Sequence, residues 1–186
     1  MTANQSFEKI DFTSNDINVD EYDTCIFQSC NFENQNLNNI TFIDCEFIDC
    51  NLSLIKATNT AFKTVKFSNC KLLGVDFSQC NTFLLNMTFD SCVMNLTSFY
   101  QLKFKQKVFN NCSLNETDFT ESDLSESNFN NCDLTRAIFK RTVLIKTDFT
   151  TALNFSIDPE TNKIKGAKFS KNNLIGLLTK YQLKIN

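Results

Sequence analysis

The sequence predicts an all-β solenoid, a square coil of about eight turns ended by a short C-terminal α-helix. Three observations predict it. An apolar residue recurs every five positions, from Phe7 to Phe77 and, after a slip of two residues, from Leu84 to Phe149; all 29 of these positions are apolar. Of the 20 phenylalanines, 18 fall on this grid once Phe169 is included. The position two before each centre is mostly small, and it holds all nine cysteines: Cys25, Cys30, Cys45, Cys50, Cys70, Cys80, Cys92, Cys112 and Cys132. Finally, Phe7, Phe27, Phe47 and Phe67 form a 20-residue ladder that Phe89, Phe109, Phe129, Phe149 and Phe169 continue after the slip.

A period of five fits neither the 3.6 of an α-helix nor the 2.0 of a flat strand. It suits a chain that turns a corner every five residues. Two of the five side chains then point inward, one large and one small, and four such sides close a coil. The slot just before each centre is often Asn or Asp, as at Asn31, Asn51, Asp76, Asp118 and Asp133. These residues read as turn hydrogen bonding or surface charge.

The first coils run through Phe77 in one register. The break at Ser78–Leu84 reads as a small bulge in which Phe83 and Leu85 leave the pattern, since two extra residues are little to build a site from. Lys107 falls in the slot kept for small residues, and an unpaired buried lysine is expensive, so this side is expected to turn it outward beside Lys103 and Lys105. Residues 151–163 hold the only proline, Pro159, and read as a loop, after which Ile164 and Phe169 rejoin the grid. Residues 1–169 thus form the coil. Residues 170–186 form a cap: Ser170 as the helix start, Leu174, Leu177, Leu178 and Tyr181 on one helical face, and Leu183 and Ile185 alternating after it. Gly176 is expected to weaken that helix slightly. A solenoid end needs such a cover, because its last coil exposes apolar side chains and strand edges.

Composition narrows the function. A length of 186 residues suits one domain. The absence of histidine removes the usual general base and transition-metal ligand. Cysteine spacings of 5, 15 and 20 residues do not match paired metal ligands, so no metal, cofactor or catalytic residue is expected. Nine thiols without an apolar leader point to a reducing, cytoplasmic setting. Apolar runs are too short to span a bilayer, and a net charge of −3 argues against direct nucleic-acid or membrane binding. That charge is uneven. Residues 1–50 carry ten acidic side chains and one basic, residues 51–110 two and seven, residues 111–150 seven and four, and residues 151–186 two and six.

Units such as Cys-Asn-Phe-Glu-Asn (30–34), Thr-Asp-Phe-Thr-Glu (117–121), Ser-Asp-Leu-Ser-Glu (122–126) and Cys-Asp-Leu-Thr-Arg (132–136) resemble the pentapeptide-repeat proteins. The resemblance covers roughly residues 5–174. It implies a right-handed quadrilateral β-helix, roughly 38 Å long at the usual strand spacing. The tail resembles the C-terminal modules through which gyrase-protecting members, the Qnr-like and mycobacterial fluoroquinolone-resistance proteins, form dimers. It therefore implies a homodimer through Leu174, Leu177, Leu178, Tyr181, Leu183 and Ile185, with a purely intramolecular cap as the alternative. In those members an acidic rod mimics duplex DNA in the saddle of DNA gyrase or topoisomerase IV and modulates sensitivity to quinolones or toxins. Here only the N-terminal coils are acidic enough, through Asp11, Asp16, Asp20, Glu21, Asp23, Glu33, Asp44, Glu46 and Asp49. The alternative is a scaffold with an unrelated protein partner and no gyrase role.

Overall fold

The computed structural model describes residues 1–184 apart from Asn15, Asp16 and Asn18. The chain winds into a four-sided coil in which every strand pairing is parallel. One face stacks seven short strands: Ser6–Glu8, Ile26–Gln28, Glu46–Ile48, Val65–Ser68, Met87–Asp90, Val108–Asn110 and Asn128–Asn130. The face before it in each turn stacks four: Thr2–Ala3, Glu21–Asp23, Thr41–Ile43 and Ala61–Lys63. The other two faces are held by single bridges, such as Asp11–Asn31–Asn51–Lys71 on one and Ser98–Asp118–Ile138 on the other.

Residues 20 apart therefore sit one above the other, and the aromatic ladder becomes a column. Rings from Phe7 through Phe27, Phe47, Phe67, Phe89, Phe109, Phe129, Phe149 and Phe169 stack at 4.7–5.4 Å between centroids. Shorter columns rise from the neighbouring faces, including Tyr22–Phe42–Phe62 and Phe77–Phe99–Phe119–Phe139. Where columns meet, the rings cross edge to face, as for Phe27 and Phe42 at 77° and Phe109 and Phe119 at 80°. Both preferred aromatic geometries are thus satisfied, each pair contributing about 0.5–1.5 kcal/mol beyond its buried area.

The corners explain how the chain turns with three glycines and one proline. The residue two after most centres adopts the left-handed conformation. Among the described residues, twenty-six non-glycine residues of the coil do so, with φ between 49° and 65°. Ten are Asn or Asp, which tolerate this region best. Steric crowding there costs roughly 1–2 kcal/mol per residue. A backbone bond to the next coil offsets it, as Asn34 N to Ser53 O at 2.9 Å and Asp44 N to Lys63 O at 2.9 Å. The Asn/Asp slot closes the same corner: Asn31, Asn51, Asp118, Asp123, Asp133 and Asp148 each accept the amide two residues on, at 2.8–3.2 Å.

The small slot has a second requirement beside size. All nine cysteines are buried and free. Cys50, Cys70 and Cys132 direct Sγ at the carbonyls of Phe27, Phe47 and Phe109, 23 residues earlier, at 3.2–3.3 Å. Thr60, Thr117 and Thr147 donate to the equivalent carbonyls of Leu37, Met94 and Leu124 at 2.7–3.0 Å. The slot therefore accommodates small donors, beside apolar side chains such as Val65, Val75 and Ala137. Burial pushes the Cys45 thiol up to about 11 and that of Cys80 to about 12, so these remain protonated and unreactive.

Several expectations are corrected. The two extra residues enter between Asn81, which still pairs with Ala61 at 20 residues, and Met87, which pairs with Val65 at 22. Leu84, placed on the grid by its spacing, is 64% exposed with φ 58°, and Leu85 packs against the core instead. The C-terminal helix is 3₁₀, not α, over Lys171–Leu177 and Thr179–Tyr181, and the Ser170 side chain makes no cap bond. Gly176 is not a mere weak point: it is buried against Phe155, and a Cβ there would overlap that ring and its carbonyl. Lys107 is only half turned out. Its ammonium donates to Asn86 Oδ1 at 2.6 Å and lies 5.4 Å from the Phe104 ring, and burial lowers its pKa.

Candidate protein-binding surface

Outward positions of a square coil form columns as regular as the inward ones. A charge therefore meets whatever stands 20 residues away. In the C-terminal half, opposite signs meet. Glu116 pairs with Arg136 at 3.3 Å, Glu126 with Lys146 at 3.6 Å and Asp148 with Lys168 at 3.5 Å, and Glu121 is bridged by Arg141. The Gln101 amide and then Arg141 hold the Glu121 carboxyl below its usual range. Exposed pairs of this kind stabilise little, but they cancel the local field.

The N-terminal coils differ. Glu46 is paired with Lys66 at 2.7 Å. Among the described residues, Asp20, Glu21, Asp23, Glu33, Asp44 and Asp49 make no ion pair. Asp11 is fixed by the Thr13 hydroxyl at 2.7 Å and amide at 3.0 Å, which lower its pKa. Asp16 lies outside the described residues. The acidic set is spread round the coil: Asp11 and Glu33 on the Phe12–Phe32 face, Asp20, Glu21, Asp23 and Asp44 at the Tyr22–Phe42 face, and Glu46 and Asp49 on the Phe47 face. The densest group is the one around Tyr22 and Phe42.

At the other end the 3₁₀ segment lies over the last coil. Leu177 packs against the core, Leu178 is half-buried, and Leu174, Tyr181 and Leu183 are 44–54% exposed. Ile185 lies outside the described residues. Lys180 reaches Asp158 at 2.8 Å and Glu160 at 2.7 Å, and the Tyr181 hydroxyl donates to Glu160 at 2.9 Å. This latch and the Phe155–Gly176 contact tie the segment to residues 155–160. Two shallow crevices of about 220 and 210 Å³ flank it, one along Ser156–Asp158 and one along Leu153–Phe155. Phe155 and Ile157, in the stretch read as loop, are buried beneath it.

Among the described residues no helix is long and apolar enough to cross a membrane, and no cluster of three His, Cys, Asp or Glu side chains could hold a metal ion. Sequence reasoning missed the cross-coil ion pairs. Writing the chain in rows of 20 would have exposed them, because Glu116, Glu121 and Glu126 stand directly above Arg136, Arg141 and Lys146. It also missed Leu54 and Leu96, exposed leucines at left-handed corners, which no periodicity marks.

Two family models match the chain: Pentapeptide repeat region over residues 21–87 and Pentapeptide repeats (8 copies) over residues 112–151. A search of the curated proteins finds no match. Among solved structures, a trypsin-treated variant of QnrB1, a plasmid-mediated fluoroquinolone resistance protein, superposes with a TM-score of 0.64 at 15% identity, over 100% of this chain and 99% of that one. A second trypsin-treated QnrB1 variant gives 0.52 at 14% identity, over 99% and 100%. At these identities the likeness is one of fold.

Proposed function

Because the chain belongs to the pentapeptide-repeat family, we propose that it is a non-catalytic protein-binding rod whose acidic N-terminal coils occupy a basic, DNA-binding surface of a type II topoisomerase, DNA gyrase or topoisomerase IV. In this reading it acts in the cytoplasm as a partial DNA mimic and modulates sensitivity to quinolones or toxins. The observation that carries it is the contrast in pairing: most carboxylates of the C-terminal half, though not Asp118 and Asp133, meet a basic neighbour, whereas those around Tyr22 and Phe42 stand without ion pairs among the described residues. Likeness of fold to QnrB1 supports the shape that mimicry needs. Duplex DNA presents about one charge per 1.7 Å, so only the acidic coils approach the required density. A homodimer through Leu174, Tyr181 and Leu183 would place these acidic ends at the two tips.

The test is direct binding of purified gyrase by the protein and by its Asp20→Lys/Glu21→Lys/Asp23→Lys variant. The reading expects an affinity loss of about tenfold or more on reversal, with an unchanged melting temperature. Equal binding by the two proteins would remove the acidic coils from the interface. The second reading, a scaffold for an unrelated protein, is favoured by the basic character of residues 51–110, and absence of any gyrase binding would select it.

A further inference from the structure

The face that carries Tyr22, Phe42 and Phe62 changes character at the bulge. Phe83 and Leu84 are 69% and 64% exposed, the most exposed large apolar side chains of the coil after Met1. Leu84 also holds φ 58° without the local hydrogen bonding that lets Asn or Asp rest there. Lysines stand on both sides of the pair. Lys63, one rung before, places its ammonium 6.0 Å from the Phe83 ring centroid. Lys103 and Lys105 project from the rung after, and Lys107 is tied back to the bulge through Asn86. Among the described residues, Lys63, Lys103 and Lys107 make no ion pair, while Lys105 reaches Asp123 at 3.1 Å.

The backbone is open at the same place. Ser98, Ser113, Asp118 and Asp123 each donate their amide to the preceding coil, at 2.9–3.0 Å. Lys103 holds the equivalent position, and among the described residues its amide has no such partner, because the bulge has displaced the rung beneath it. An unpaired donor, two exposed apolar side chains and the lysines Lys63 and Lys103 thus stand on the same face at the bulge.

We propose that this bulge face, centred on Phe83, Leu84, Lys63 and Lys103, docks an acidic segment of a partner protein that carries an apolar anchor. Charge complementarity selects the acid, and the exposed pair selects the anchor. The same face limits the length of the occupant. Glu21, Asp23 and Asp44, which make no ion pair among the described residues, lie toward one end of it, so a continuous polyanion such as a nucleic acid laid along the face would meet repulsion there. A short acidic peptide would not. The inference does not depend on gyrase being the partner of the N-terminal coils.

The test uses the full chain and a fluorescein-labelled octapeptide, EELEEFEE, read by fluorescence anisotropy. Octaglutamate and an oligo(dT) 12-mer are the comparison probes. The expected result is saturable binding of EELEEFEE, tighter than either comparison probe. It should weaken about tenfold in Lys63→Glu/Lys103→Glu and in Phe83→Ser/Leu84→Ser, and fall as salt rises from about 50 to 200 mM. None of the four replaced side chains belongs to the buried core, and a melting curve of each variant is the check that it is folded. No saturable binding, equal binding by both variants, or tighter binding of the oligonucleotide would overturn the proposal.

Discussion

Each position in the five-residue unit carries one physical demand, and the residue types follow from it. The centre must fill a column 20 residues deep, so it is a stacking ring or a long aliphatic. The slot two before it is usually small, and where it holds cysteine, threonine or serine the side chain can also reach a carbonyl 23 residues earlier, which makes the cysteines packing residues with weak donor character. The sequence showed their size and position plainly. It did not show the donor role, because a thiol is equally at home as a buried hydrophobe. Thr147 gives the cleanest test, since its hydroxyl meets the Leu124 carbonyl at 2.8 Å and is fully buried. Thr147→Val keeps the shape and removes the donor. Urea unfolding should show a loss of about 1 kcal/mol. An unchanged midpoint would mean that the slot selects volume alone.

At the scale of elements, the coil was legible and its ends were not. Regular repetition makes every strand a copy of its neighbour, so one good register predicts the rest. The cap has no such redundancy. Its leucine spacing fits 3.6 residues per turn on paper, but the segment forms 3₁₀ turns, and Gly176 lies directly against Phe155. Such a contact with an off-grid phenylalanine leaves no mark in a periodicity. Gly176→Ala should lift the segment and speed amide exchange across Lys171–Tyr181, while the coil amides stay protected. Exchange no faster than in the parent protein would show that the contact is not what seats the cap. The latch adds a pH dependence. Hydrogen bonds from Lys180 hold the Asp158 and Glu160 carboxyls below their usual range, and those two carboxylates raise the Lys180 pKa. The carboxylate contribution is present above their unfolded pKa values near 4 and is lost as pH falls through the lowered ones. Protection of the cap amides, normalised to their intrinsic exchange rates, should therefore fall between about pH 5 and 3. In Lys180→Met that fall should shrink; if it is unchanged, the latch is not its source.

For the molecule as a whole, the uneven charge matters more than its sum. A net −3 conceals acidic first coils, a basic middle that includes the bulge, a stretch from 111 to 150 in which most carboxylates are cross-paired, and a basic end. The blocks could be counted from the sequence. Their pairing could not, since it depends on which outward positions stack. The rod thus offers two chemically opposite surfaces, one suited to a basic, DNA-binding partner and one to an acidic peptide. Gyrase supercoiling, assayed with and without ciprofloxacin at micromolar protein, tests the central claim most directly. The account predicts inhibition of supercoiling or rescue from the drug, weakened when Asp20, Glu21 and Asp23 are replaced by lysine. A protein that neither inhibits nor rescues the enzyme would contradict it.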